Sequence, residues 1–328
     1  MSQLRPNDYE NYNYYAVELE PSNDSLPRAS KLAQSNDLHL IGRIGALDHH
    51  YLFASSKHSL VKREPVEITS NLLAEEEVHW VEQQVPQKRL YKRIPPQSPI
   101  FSNNSDFVHL KRSPGAPEKV SQIAASLGIK DPGFPEQFHL YNTIEIGHDL
   151  NLTGVWAQNI TGKGVVITLL DDGVDHEHPD LKVNFFEPGS WDFNEHKRLP
   201  TPALYDDYHG TRCAGEVSAA KNDVCGVGIA WDSKVSGIRI LSGDLSISDE
   251  AAAITYEYHK NHIFSCSWGP RDDGRTMEAP PKLAMDAFKK GIDSGRNGLG
   301  SIYVFAAGNG GASGDNWYAS APAYTQQF

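Results

Sequence analysis

Asp171 and His209 are the residues of this 328-residue chain whose types and settings best suit chemistry. Asp171 closes the apolar run Val165–Leu170 and opens Asp171-Asp172-Gly173, while His209 opens His209-Gly210-Thr211-Arg212-Cys213-Ala214-Gly215. A carboxylate that orients an imidazole, and an imidazole that takes a proton from a hydroxyl, are two members of a Ser-His-Asp relay, which works only when all three meet. Taken singly, each has a plainer account. An Asp often terminates a strand, and a His before Gly and small residues often opens a helix. Asn309, in Gly308-Asn309-Gly310-Gly311, reads by itself as a turn residue that tolerates a left-handed backbone.

The elements that must position these residues follow from hydrophobic patterning. Val165–Leu170, Val235–Leu241, Ile263–Ser267 and Ile302–Ala306 are short, nearly continuous apolar runs, as strands covered on both faces must be. Ser248–Asn261 and Pro281–Ser294 between them have helical length and composition. Strands alternating with helices predict an α/β fold with a parallel sheet and right-handed crossovers, whose sites gather at the carboxyl ends of strands. Asp171, Asp172 and Asn309 fall at such ends.

Ahead of this, Tyr14–Leu19 and Leu38–Ile44 predict strands, Tyr51–Leu60 continues a small α+β unit, and Glu75–Val85 predicts a short helix. Basic pairs and prolines then cluster in Lys88-Arg89, Lys92-Arg93-Ile94-Pro95-Pro96 and Lys111-Arg112-Ser113-Pro114. Proline cannot donate to a ladder and disfavours helix in the residue before it, so about 94–117 reads as an exposed linker open to proteolysis. The division expected is 1–93, a linker over 94–129, and 130–328.

The net charge of −12 is unevenly placed. Residues 1–112 hold 13 Lys and Arg against 14 Asp and Glu, and residues 113–328 hold 17 against 28. The second part should attract basic peptides or cations and repel nucleic acid. No run is long and apolar enough to span a membrane, and residues 1–20 lack the basic start and apolar middle of a signal peptide. Cys213, Cys225 and Cys266 form no metal-type pair.

Between residues 130 and 316 the chain resembles the subtilisin superfamily, and within it the kexin and furin branch of proprotein convertases. The resemblance is carried, in the family's order, by Asp171-Asp172-Gly173, Asp206-Asp207-Tyr208-His209-Gly210-Thr211-Arg212-Cys213, Val224-Cys225-Gly226-Val227-Gly228, Gly237-Ile238-Arg239-Ile240-Leu241-Ser242-Gly243, Cys266-Ser267-Trp268-Gly269-Pro270-Arg271-Asp272-Asp273-Gly274 and Gly308-Asn309-Gly310-Gly311. Ser190-Trp191-Asp192-Phe193-Asn194 and Leu241-Ser242-Gly243 look more like the fungal kexins than furin.

The resemblance implies a subtilisin-like parallel sheet with flanking helices, preceded by an α+β propeptide that inhibits and assists folding. It implies a calcium-dependent serine endopeptidase in which Asp171 fixes the tautomer of His209, His209 is the general base and Asn309 donates to the oxyanion. Asp172, Asp206, Glu250, Trp268, Gly269 and Asp272 would bind the substrate, a precursor protein cut after Lys-Arg or Arg-Arg. Carboxylates suit that task because they match guanidinium and ammonium groups. The chain's own Lys92-Arg93 has that form, which makes Arg93 the expected primary self-processing site and Arg112, or the Lys62-Arg63 pair, a secondary one. Calcium, a hard cation that takes oxygen ligands, would sit at Asp131, Asp180 and Asp223, and again at Asp272 with Asp315. The full enzyme would work in the late secretory pathway.

The resemblance breaks after Asn316. No Gly-Thr-Ser segment, the family's nucleophile signature, occurs before Phe328. The expectation is therefore an incomplete peptidase domain, truncated before the serine and inactive by itself. The alternatives are a true short product that acts by propeptide-mediated binding and, more remotely, a metal-dependent hydrolase.

Overall fold

The computed structural model describes residues 8–59, 63–86, 91–92, 116–271, 273–276 and 279–314. The N-terminal unit runs β1 (Tyr12–Leu19), α1 (Ser25–Ser35), β2 (His39–Arg43), β3 (His50–Ser56), α2 (Pro65–Leu73) and β4 (Val78–Gln84). Its antiparallel sheet has the order β2-β3-β1-β4. Central β1 is covered on both sides, and alternate residues serve different cores. Tyr15, Val17 and Leu19 pack with Ala29 and Leu32 of α1 and Ile68 and Leu72 of α2. Tyr14 and Ala16 point the other way, into a cluster with Ile254, Leu283, Ala287 and Phe288 of the second unit.

The helix expected at Glu75–Val85 is instead the strand β4, which pairs antiparallel with β1. Its amphipathic run fits either period, β-branched Val78 and Val81 favour a strand, and the open edge of β1 supplied the partner. A two-residue strand, β5 (Tyr91–Lys92), follows.

The second unit runs α3 (Ala116–Leu127), α4 (Thr153–Trp156), β6 (Val166–Asp171), β7 (Trp191–Asp192), α5 (His209–Ser218), β8 (Lys234–Arg239), α6 (Ile247–Ile254), β9 (Ile263–Cys266), β10 (Trp268–Gly269), α7 (Lys282–Gly298) and β11 (Ile302–Phe305). Helix α3 lies in the stretch expected as linker; Pro117 is no obstacle because a helix's first turn needs no intrahelical N–H. The parallel sheet has the order β11-β9-β6-β8-β7. β6, at its middle, is buried throughout, and truncating Leu170 to Ala there costs about 2–5 kcal/mol. No helix among the described residues is long and apolar enough to cross a membrane.

The two units meet on α6 and α7. Ala46 N–H donates to Thr255 Oγ1 at 3.1 Å. Gly45, at φ +52°, passes so close that a Cβ would lie 2.4 Å from Thr255 Oγ1 and 2.8 Å from Ala252 Cα. Asp48 pairs with Lys290 at 2.7 Å.

Candidate active site

Parallel β6, β9 and β11 end on the same edge of the sheet, so the segments that follow them gather there. β6 delivers Asp171, whose side chain is 1% exposed. Helix α5 starts at His209, and His209 Nδ1 lies 2.9 Å from both Asp171 Oδ1 and Oδ2. The start of α5 is fixed against the end of β6 in two ways. The buried carboxylate of Asp172 accepts from the backbone N–H of His209 at 3.1 Å and of Gly210 at 2.7 Å, two donors left unmet at any helix N-terminus. Gly210 leaves the room for it, since a Cβ would fall 2.3 Å from Gly173 O and 2.8 Å from Asp171 Cβ.

Electrostatics follow from this contact. Burial pushes the Asp171 carboxyl upward while its hydrogen bond to His209 pulls it back. The Asp171 hydrogen bond, with Cys213 Sγ 3.7 Å from Nδ1 adding to it, holds the imidazole above its ordinary range. Such a pair can hold one ring nitrogen protonated toward the carboxylate and offer the other to a hydroxyl.

Asp206 is half-buried in the turn before α5, and Tyr208 N–H donates to its carbonyl at 3.1 Å. The Asp172 carboxylate faces the helix start, in the contacts just given. Glu250 is buried in α6, beside the Ser246–Asp249 capping box. Trp268 and Gly269 form β10 just past β9, and β10 pairs antiparallel with β5 in the register Trp268↔Lys92 and Gly269↔Tyr91. Asn309, half-buried, follows β11 and opens the 3-10 turn Gly310–Ser313. Asp272, Asp315, Arg93 and Arg112 lie outside the described residues.

A second cluster forms where Asp131 meets Asp180. Both are buried. Asn222 joins them, its backbone N–H 3.1 Å from each Asp131 oxygen and its Nδ2 3.0 Å from Asp180 Oδ1. Burial pushes the Asp131 carboxyl upward, and the charge of Asp180 adds to the shift. Two buried carboxylates are hard oxygen donors of the kind that suits calcium, while the Asn222 carboxamide oxygen is taken up by the Val224 N–H at 2.7 Å. Asp223 is exposed next to this cluster. Asn222 carried no sequence signal of its own; only the fold brings it between the two carboxylates.

A carboxylate-held imidazole at the carboxyl edge of a parallel sheet, with an extended segment of the N-terminal unit paired beside it, is a subtilisin-like arrangement. Residues 162–327 match the Subtilase family, peptidase S8, and residues 14–93 match the Peptidase S8 pro-domain. The chain belongs to the subtilase family. It is 43% identical to the kexin of Candida albicans, over 96% of this chain and 36% of that protein. It is 39% identical to human proprotein convertase subtilisin/kexin type 7, over 88% of this chain and 34% of that protein. The chain thus spans about a third of the length of the curated relatives it matches. Fervidolysin from Fervidobacterium pennivorans, a keratinolytic enzyme related to subtilisin, shares the fold at 18% identity and a TM-score of 0.56, over 93% of this chain and 41% of that structure.

Proposed function

We propose that the protein is a kexin-type serine endopeptidase that cuts precursor proteins after Lys-Arg or Arg-Arg and removes its own pro-domain. The observation that carries this reading is the pairing of β5 with β10. The tail of the pro-domain lies extended and antiparallel along a strand beside the Asp171–His209 pair, which is how a substrate adds to a sheet edge. Lys92 sits opposite Trp268, and the next two residues in sequence are Arg93 and Ile94.

In this mechanism Asp171 holds His209 in one tautomer, His209 takes the nucleophile's proton and later returns it to the leaving amine, and Asn309 donates to the oxyanion. One such side-chain donor contributes about 2.7–4 kcal/mol in a subtilisin, a member of the same family. No residue of these 328 is assigned as the serine. Asp206, Glu250 and Asp272 supply charge complementary to basic side chains. The buried Asp172 carboxylate sets the helix that carries His209. Calcium at Asp131, Asp180 and Asp223 would brace the fold, and Asp272 with Asp315 would hold a second ion. Maturation of this kind belongs to the secretory pathway.

The test is self-processing of the full-length protein, followed by N-terminal sequencing and assay on peptides. The expected mature N-terminus is Ile94, the expected cut follows Lys-Arg, and His209→Ala abolishes both. A different N-terminus, or indifference to the residue before the bond, refutes the assignment.

A further inference from the structure

Arg239 closes β8 between Asp171 of β6 and Asp192 of β7, paired in register with both. Its side chain is only 2% exposed, and a buried guanidinium persists only where its donors are met. Nε donates to Ser242 Oγ at 2.9 Å, Nη1 to Asp192 Oδ2 at 2.9 Å and to Glu195 Oε1 at 3.1 Å, and Nη2 to Asp207 Oδ2 at 3.1 Å. These acceptors sit on three separate segments: β7 with its following loop, the turn into α5, and the loop out of β8.

Two of these segments, the turn into α5 and the loop out of β8, lead to the candidate site. Asp207 lies two residues before His209 and next to Asp206. Its buried Oδ2 also accepts from the N–H groups of Ala203 at 3.1 Å and Leu204 at 2.9 Å and from the Ser242 hydroxyl at 2.9 Å. That carboxylate is turned into the protein and fixes the turn. Ser242 Oγ lies 3.3 Å from the Asp172 carbonyl. Directly after Arg239, the N–H groups of Ile240 and Leu241 reach the Asp171 carbonyl at 2.8 and 3.2 Å.

We propose that Arg239 is a positioning residue of the reaction: through Asp207 it sets the turn that carries Asp206 into His209, and through Ser242 it braces the chain after Asp171. The imidazole and its orienting carboxylate then owe their alignment to a guanidinium that meets neither of them. Arginine is required because its planar fork spans several acceptors at fixed angles, whereas a lysine ammonium is a point charge on a flexible stem. This inference rests on the protease reading above.

The test uses the full-length protease with active sites counted by a covalent peptidyl inhibitor, so that misfolded molecules drop out. Arg239→Lys keeps the charge and loses the fork. A displacement of about 1 Å at the site costs about a hundredfold, so the expected loss of kcat per titrated site is about tenfold or more. The loss should be equal on Lys-Arg and Ala-Arg peptides, with KM little changed and the acid limb of the pH profile moved. A variant that yields fewer sites but keeps the wild-type kcat and pH profile at each overturns the proposal and leaves Arg239 a fold-stabilising residue. Should Arg239→Lys give no sites at all, Ser242→Ala, which deletes the Nε acceptor together with its links to Asp207 and to the Asp172 carbonyl, is read by the same criterion. A lower kcat per site with unchanged Tm supports the proposal, and an unchanged kcat overturns it. Wild-type protein without titratable sites sinks the protease reading itself, and the positioning role with it.

Discussion

Gln84 is where docking of the pro-domain can be tested with a single hydrogen bond. It ends β4 at the edge of the pro-domain sheet, is 2% exposed, and its Oε1 accepts the backbone N–H of Ser248 at 2.9 Å. Ser248 lies in the first turn of α6, where an N–H has no partner within the helix. With the pro-domain gone, water satisfies that donor. With the pro-domain docked and Gln84 cut back to alanine, nothing does, so the docked state alone bears the cost of about 1–3 kcal/mol for a buried unmet donor. At 1.4 kcal/mol per tenfold this is about 5–150-fold in Ki. The assay is inhibition of the mature full-length protease by added pro-domain, wild type against Gln84→Ala, with circular dichroism to show that both pro-domains fold alike. Removing the more exposed Lys290–Asp48 pair should cost less, about 1 kcal/mol or below, and fade with added salt. The Gln84 effect should persist in salt because its partner is a neutral buried amide. A Ki within twofold of wild type for a correctly folded Gln84→Ala pro-domain would show that the Ser248 contact carries no docking energy.

The Asp171–His209 pair predicts a titration. His209 is held above its usual value near 6.5 by the Asp171 hydrogen bond. A raised imidazole adds stability that is fully present below pH 6.5 and is lost as pH rises through the folded value. Asp171→Asn should therefore bring the His209 ring resonances down to titrate nearer 6.5 and flatten stability above neutrality; an unmoved titration rules out Asp171 as the cause. At the second cluster, Asp131 is raised first by burial and then by Asp180, a repulsion that a divalent cation would remove. Calcium at a hundred times its Kd should stabilise the protein by about 2.7 kcal/mol, read as a rise in Tm that Asp180→Asn abolishes; an equal rise in the variant removes Asp180 from the site.

What the sequence made legible was local. Asp171 could be read as a strand end because an unbroken apolar run, buried throughout as β6, closes on it, and His209 as a helix start because Gly210 and small residues follow; only the family motifs joined them as a pair. Contacts between distant segments left no such mark. Gln84 and Ser248 are 164 residues apart, and the four bonds of Arg239 reach residues on three separate segments. Arg239 has the look of one charge inside the apolar run Val235–Leu241 until the neighbouring strand and loop are in place. Helix α3 was hidden by prolines read as breakers, and β4 by a run that suits two periods.

The N-terminal strand shows how such ambiguity resolves. Tyr14-Tyr15-Ala16-Val17 has no polar member to mark a solvent face, a pattern that belongs to strands covered on both sides. Tyr15 and Val17 need the helices of their own unit, but Tyr14 and Ala16 are buried only because Ile254, Leu283 and Phe288 lie across from them. An isolated pro-domain would present that second face to water, as would the α6–α7 surface it leaves. The apolar run in β1 therefore encodes the docked state as well as the strand. Release of the pro-domain would expose both faces together, which opposes release even after the proposed cut at Arg93–Ile94.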